Sequence, residues 1–287
     1  MAETIIFLTI ITILMKEQLI EKARKLPEPE SYFRGLEPPE GTSHLPSNLL
    51  LYWHDYPHER TIISTRYMLI LPARPIEYIV NGNQIELDSG RALLVKPYLQ
   101  RSVPETRERY DRLIISFEAP EAAFYLPAEW VMQTNDESMA AAERLVDAYL
   151  AGDILRAVFE LVLLLRELSR HPAERVVPPL SPPVRLALNR INQALELPLS
   201  IKELAAESGL SVSHFRYRFR EELGISLGDY LAERRVNAAR RLLEETADSI
   251  GGIARACGYD TIYAFSRFFR RRTGISPSEW RKRHAIR

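Results

Sequence analysis

The chain has 287 residues, 46% of them hydrophobic, which is enough to build two globular domains. Lys+Arg and Asp+Glu number 38 each, but residues 184–287 carry 19 basic against 12 acidic side chains, whereas residues 1–183 carry 19 against 26. A basic half attracts nucleic-acid phosphate and an acidic half does not. The single cysteine, Cys257, excludes an intramolecular disulfide and is typical of a protein from the reducing cytoplasm.

Residues 1–30 are predicted to be an N-terminal extension, and they include an apolar run, TIIFLTIITIL. The run is too short to span a bilayer, and a secretory signal would carry Lys or Arg before it, where only Glu3 stands. We therefore expect no membrane partner. Three interpretations stay open: an added strand, an arm on the next domain, or a start codon upstream of a true first residue at Met15.

Short β-rich runs divided by turn residues fill the stretch from Tyr52 to Phe117. Asn81-Gly82, between IEYIV and QIEL, is a strong hairpin signal. The pattern predicts a small antiparallel β-barrel or sandwich within residues 31–170.

Aromatic and donor side chains in or beside these strands are candidates for a small-molecule site. Strand alternation places Arg66 and Tyr67 on opposite faces, and we favour Tyr67 as the one that lines the interior. The predicted ligand-binding residues are Trp53, Tyr67 and Tyr78.

No metal, cofactor or catalytic residue is predicted. His54 and His58 lie close together, but Pro57 disfavours a helical ligand pair, and the stretch after Gly90 offers no further histidine. Histidines in loops near the mouth of a barrel account for them better. No nucleophile, phosphate loop or paired carboxylate set stands out elsewhere, so we expect no enzyme activity.

Residues 136–170 read as two helices parted near Gly152. Along the second helix, apolar residues recur at alternating spacings of four and three. The stripe either packs on its own β-domain or forms the seam of a homodimer, because soluble monomers rarely leave such a stripe in water. The candidate seam residues are Ile154, Val158, Leu161, Leu165 and Leu168.

A proline-rich stretch, HPAERVVPPLSPP, occupies residues 171–183. Five prolines in 13 residues predict a stiff, extended linker, which sets the domain boundary near residue 180.

The last third of the chain contains two copies of one helix-turn-helix pattern, at residues 200–223 and 249–272. In each copy a short helix ends at a glycine, Gly209 or Gly258, and a second helix follows whose two phenylalanines at i, i+4 predict its buried stripe. We expect Ser200 with Glu203 to cap the first of these helices.

Polar and cationic residues lie between the phenylalanines and face outward. A helix fits the major groove of B-DNA, where Arg pairs with guanine. Surface charge is usually only a solvated face, but the duplication, the tract Arg270 to Arg272 and the basic charge of this half favour DNA binding.

At these residues the sequence resembles the AraC/XylS family of bacterial transcription regulators. The resemblance covers about residues 184–284 and includes Gly258-Tyr259, the run FSRFFR and the run GISP. In that family a long central helix joins the motifs, and each second helix enters one of two successive major grooves. Here Ser226 with Asp229 is expected to cap that central helix, which at roughly 27 Å is comparable to the pitch of DNA, about 34 Å.

The resemblance also implies the DNA contacts, position by position. Tyr217 stands where many members carry Arg, which puts a guanine contact there in doubt. The implied base-contacting residues are Ser213, Arg216, Tyr217, Ile262, Tyr263, Ser266 and Arg267. The predicted phosphate contacts are Ser211, Arg220, Arg270, Arg271 and Arg272.

Taken together, the sequence predicts an α+β protein of two domains. The resemblance implies a cupin-like barrel over residues 31–170 with dimerisation helices at 136–170, and an all-α double helix-turn-helix domain over 184–287. The expected function is a cytoplasmic, homodimeric regulator that binds double-stranded DNA, responds to a small-molecule effector, and contacts RNA polymerase if it is an activator. The alternatives are a cupin-like metal enzyme fused to a DNA-binding domain, and a regulator controlled by a protein partner.

Overall fold

The computed structural model describes residues 16–39, 42, 44–55, 62–97, 99–104, 110–120, 123–127, 130–173, 180–193 and 201–284. The chain folds into two compact units, Met1–Thr61 with Thr65–Pro178 and Ile62–Ser64 with Pro179–Arg287. The apolar N-terminal run and the middle of the proline-rich stretch lie outside the described residues.

The first unit is built on antiparallel strands. The strands of the chain are β1 (Ser47–His54), β2 (Ile62–Ile63), β3 (Tyr67–Pro72), β4 (Ile76–Val80), β5 (Asn83–Leu87), β6 (Arg91–Val95), β7 (Gln100–Ser102), β8 (Arg112–Glu118) and β9 (Val131–Gln133). One sheet has the order β1-β8-β3-β6-β9, and β7, β4 and β5 lie side by side in the other. The described strands thus form two sheets and do not close into the predicted barrel.

The hairpin predicted at Asn81-Gly82 is confirmed. β4 pairs with β5 in a register that ends at Val80 opposite Asn83, so two residues form the turn. Both have left-handed backbone, with φ of 50° at Asn81 and 76° at Gly82. Asn followed by Gly tolerates this conformation at two successive positions, as a type I′ turn requires.

Alternation gives the five-stranded sheet two chemically different faces. Leu51, Leu69 and Ile115 lie on one face and join an apolar cluster with the helices of this unit. Tyr52 and Arg112 lie on the other face, where the Arg112 guanidinium is 5.8 Å from the Tyr78 ring of β4. The second face therefore looks into the space between the sheets.

Helices cover the first face. They are α1, helical from 16 to 23 among the described residues, α2 (Asp136–Leu150) and α3 (Ile154–Ser169). Gly152, with φ of 72°, separates α2 from α3 as predicted. Lys22 of α1 forms ion pairs with Glu143 at 2.6 Å and Asp147 at 2.7 Å, which fasten α1 to α2.

The apolar stripe of α3 packs inside its own unit, so the candidate dimer seam is wrong. The side chains of Val158, Leu161, Leu165 and Leu168 are fully buried in the cluster beneath the sheet, and Ile154 packs against it. The residues of this stripe supply core contacts and are not available to a second copy.

The second unit is helical. Its helices are α4 (Pro182–Gln193), α5 (Ile201–Glu207), α6 (Val212–Leu223), α7 (Leu227–Glu245), α8 (Ile250–Ala256), α9 (Ile262–Thr273) and α10 (Pro277–His284). α7 contributes to the packing of both motifs: Tyr230 meets Phe219 edge to face at 5.4 Å, and Val236, Ala239 and Leu243 join the core around α8 and α9. None of the described helices is long and apolar enough to cross a bilayer.

Candidate nucleic-acid interface

The two motifs are built from the same local parts. α5 and α8 each end before a left-handed glycine, Gly209 with φ of 66° and Gly258 with φ of 77°. Ser211 caps the start of α6, and its hydroxyl accepts from His214 N at 3.3 Å. Thr261 caps the start of α9, and its hydroxyl accepts from Ala264 N at 3.2 Å. Each cap satisfies an amide that the first turn leaves unpaired. The predicted Ser200 cap falls outside the described residues.

Paired phenylalanines set the inward face of each second helix. The ring centroids of Phe215 and Phe219 are 5.9 Å apart, and those of Phe265 and Phe269 are also 5.9 Å apart, with all four rings fully buried. An i, i+4 pair lies on one side of a helix, so the residues one and two positions after the first phenylalanine point away from that side. The duplication in the sequence is therefore a duplication in packing.

The predicted base-contacting residues lie on these opposite sides. Ser213, Arg216 and Tyr217 are exposed on α6; Ile262, Tyr263 and Arg267 are exposed on α9, and Ser266 is half-buried. Tyr217, Ile262 and Tyr263 stand out as large apolar or aromatic groups left in water, with Tyr263 77% exposed. Such groups can contact thymine methyls in the major groove.

Tyr217 stands at a position where this chain differs from many members of the family that it resembles. Its hydroxyl donates to Glu221 Oε1 one turn further along α6, at 3.4 Å. A tyrosine there cannot make the paired contact to guanine that an arginine makes.

The central helix is capped as predicted. Ser226 Oγ accepts from Asp229 N at 3.1 Å and donates to Asp229 Oδ2 at 2.7 Å. The hydrogen bond from Ser226 is the main cause that lowers the pKa of the Asp229 carboxyl, and the hydrogen bond from Arg272 is the next. The 19 residues of α7 give a spacer of roughly 28 Å.

Arg272 forms ion pairs that the sequence did not predict. Its two terminal nitrogens reach Glu233 Oε1 at 3.1 Å and Asp229 Oδ1 at 3.1 Å, so its guanidinium joins α9 to α7. These ion pairs compete with the phosphate contact expected of Arg272, which stays a prediction. The other predicted phosphate contacts, Ser211, Arg220, Arg270 and Arg271, are all exposed.

α10 was missed by the sequence analysis. Ser276 Oγ accepts from Glu279 N at 3.2 Å at the start of the helix, and Arg281 to His284 make its last turn basic. Trp280 donates to Glu244 Oε1 at 3.1 Å, and the Arg240 guanidinium lies 4.9 Å from the Trp280 ring. A sequence signal for α10 was present, because Ser276-Pro277 precedes a tryptophan and a basic run, and proline is common at the first position of a helix.

The residues predicted to bind a ligand do not share one site. Trp53 lines a cavity of about 340 Å³ beside α1, with Arg24 at 5.5 Å from its ring. Tyr67 faces the helices and stacks on Phe117 at 5.4 Å, which contradicts its predicted place in the interior between the sheets. Tyr78 is fully buried on the other side of the sheet, in that interior.

The metal prediction is tested only in part. Among the residues that the structure describes, no cluster of three or more His, Cys, Asp or Glu side chains is placed to hold a metal ion. His54 is buried on β1, and His58 lies outside the described residues.

Comparison with known proteins agrees with the geometry. A family model described as a helix-turn-helix domain matches residues 204–283. The HTH-type transcriptional regulator Rv1931c of Mycobacterium tuberculosis is 45% identical over 30% of this chain and 33% of its own length. The HTH-type transcriptional activator RhaR of Escherichia coli K12 is 29% identical over 46% of this chain and 47% of its own. The chain thus spans between a third and a half of these curated relatives.

A solved structure is similar over the same region. A transcriptional regulator from Chromobacterium violaceum, described among AraC-type DNA-binding domain-containing proteins, is 34% identical over 36% of this chain and 93% of its own, with a TM-score of 0.34. Two capped motifs on either side of one long helix define a double helix-turn-helix DNA-binding domain. The C-terminal part of this chain is such a domain, of the AraC type.

Proposed function

We propose that the protein is a sequence-specific regulator of transcription whose α6 and α9 read two successive major grooves. The observation that carries this proposal is the matched pair of recognition helices, each fixed by a cap and two buried phenylalanines and each exposing a different set of side chains. The proposed base contacts are Ser213, Arg216, Tyr217, Ile262, Tyr263, Ser266 and Arg267. The proposed phosphate contacts are Ser211, Arg220, Arg270 and Arg271.

To test this, DNA sequences that the protein binds are selected from genomic fragments, and the affinity of the protein for them is measured by fluorescence anisotropy. Arg216→Ala or Arg267→Ala should each cost about 1 to 3 kcal/mol of binding free energy and relax the sequence preference in one half of the site. Arg74→Ala is the matched control, because Arg74 is an exposed arginine of the first unit. If Arg267→Ala leaves affinity and preference unchanged, α9 is not a reading helix.

A homodimer is proposed through the outer face of α3, in place of the buried stripe. Leu155, Phe159 and Leu163 recur at i, i+4 and i+8 and are 41%, 50% and 51% exposed. Three large apolar side chains on one solvent-facing line are unusual for a monomer. A two-fold interface would place the line of one copy against that of the other.

We also propose that the first unit controls DNA binding by the second. The first unit, a cupin-like sensor over about residues 31–170 with helices at 136–170, would bind a small molecule that changes DNA binding by residues 184–287. RNA polymerase is the further partner if the protein activates transcription, as RhaR is named to do. The proposed location is the cytoplasm, where bacterial DNA is found.

A further inference from the structure

The space between the two sheets of the first unit contains buried arginines. Arg112 of β8 is 2% exposed and Arg101 of β7 is 7% exposed. Arg112 lies 5.8 Å from the Tyr78 ring, and Tyr52 shares its face of the sheet. Two cations thus lie beside two tyrosines in a mostly apolar interior.

These side chains keep unused hydrogen-bonding capacity. Arg112 donates from Nη1 to the Tyr110 carbonyl at 2.8 Å, but its Nε has no hydrogen-bond partner among the described residues. The Arg101 Nε and the Tyr78 hydroxyl are also buried without one. An unsatisfied buried donor costs free energy, and a buried cation costs more.

The described surroundings supply no opposite charge to Arg112. Burial lowers the pKa of its guanidinium, and the ionisable groups that act on it are Tyr78, Arg101, Tyr52 and Tyr110. Arg101 is positive and so repels it. Tyr78 and Tyr52 remain neutral, because burial raises the pKa of both hydroxyls.

Arg66 provides a comparison inside the same unit. It is equally buried, but it donates to the carbonyls of Tyr32 and Ser116, both at 3.2 Å, and Glu118 acts on it. Arg66 therefore differs from Arg112 at its terminal nitrogens, which both donate to carbonyls, and in having a carboxylate that acts on it. The two arginines do not differ at Nε, which makes no hydrogen bond to a described residue in either.

We propose that Arg101 and Arg112 form an anion site between the sheets for a small organic carboxylate, with the Tyr78 hydroxyl as a third donor. A guanidinium pairs with a carboxylate through two parallel hydrogen bonds. The neighbouring apolar side chains favour a ligand with an apolar or aromatic body over a fully hydrated ion such as phosphate. This inference rests on the proposed function, since it names the class of effector that the first unit would sense.

The experiment uses the full-length protein and follows its melting temperature. The probes are monocarboxylates from acetate to phenylacetate, each beside its neutral amide, and inorganic phosphate. At saturation, at least one carboxylate should raise the melting temperature by about 2 to 4 °C, and its amide should not. Equal shifts from acid and amide, no shift from any acid, or an equal shift from phosphate would each overturn the assignment.

Variants locate the effect. Arg112→Met should abolish the carboxylate shift and raise the melting temperature of the ligand-free protein, because it removes a buried unpaired cation. Tyr78→Phe removes one hydroxyl and should reduce the shift without unfolding the protein. The exposed Arg74→Met is the control and should keep the full shift. A lower melting temperature for ligand-free Arg112→Met would show that the chain itself pairs this charge, against the proposal.

DNA binding measured on the same samples separates this inference from the proposed function. Specific DNA binding without any carboxylate shift would overturn the anion site alone. A carboxylate shift in a protein that binds no specific DNA would keep the anion site and overturn the regulator.

Discussion

The two units use arginine in opposite ways. The helical unit has Arg216, Arg267 and Arg270 exposed on helix faces, where water solvates them and where they are accessible for the proposed contacts with DNA. The first unit buries Arg101 and Arg112, where water is excluded and the charge must be met by the protein or by a ligand. The same type of side chain is thus a candidate for recognition of a large polyanion on one unit and of a small anion on the other.

The largest expected effect concerns the core that orients the exposed arginines. Phe269→Ala should destabilise the helical unit by about 3 to 5 kcal/mol, because it removes a fully buried ring that packs on Phe265 and on Trp280. Urea unfolding followed by circular dichroism measures the loss. Phe269→Leu is the matched variant and should lose much less; equal losses would mean that the ring packing does not hold α9.

The outer face of α3 should give the next largest effect. Phe159→Glu places a charge on the proposed interface in both copies, and should weaken the dimer by about 3 kcal/mol or more. Sedimentation should then show a 33.0 kDa species at concentrations where the wild type is twice that mass. Arg156→Glu, also exposed on α3, is the charge control. A wild type that sediments as a monomer removes the interface altogether.

Neighbouring arginines of α9 test the difference between a positioning and a contacting cation. Arg272→Met should lower stability by about 1 kcal/mol, because it breaks two partly exposed ion pairs to α7. Arg271→Met should leave stability unchanged, weaken binding to all sequences alike and reduce the salt slope of binding by about 1. The opposite pattern, with Arg272 controlling the salt slope, would return it to the phosphate contacts.

The smallest effect is a pH dependence. The native pKa of Asp229 is held below its ordinary 3.8, so the folded state binds this proton more weakly than the unfolded state does. The contribution of Asp229 is therefore complete above that ordinary value and is lost as the pH falls through the lowered one. Asp229→Asn should flatten this part of the curve of unfolding free energy against pH, and an unchanged curve would remove Asp229 as its source.

Local signals explain what could be predicted. The Asn81-Gly82 turn and the cap at Ser226 depend on residues within a few positions of each other, and both formed as expected. Non-local partners explain what could not. Arg272 pairs with residues 39 and 43 positions away, which no local pattern of α9 contains.

Helix α3 shows a second limit of pattern reading. Apolar residues occur on both of its sides, so periodicity alone cannot say whether Val158 or Phe159 faces the sheet. Burial in the folded unit decides for Val158. Arg112 is a similar case, since an arginine in a strand is expected to face water and here faces the interior.

The shared interior and different exterior of the two motifs have a consequence for the DNA. Phenylalanines repeat at equivalent places, whereas Arg216 of α6 and Ser266 with Arg267 of α9 present unlike groups in a set order along the chain. If α6 and α9 read bases as proposed, one protein molecule would recognise a sequence with a direction. The same site turned end for end would offer each helix the bases that suit the other. A promoter bound in this way would hold the double helix-turn-helix domain in one orientation, with α6 over one half of the site and α9 over the other.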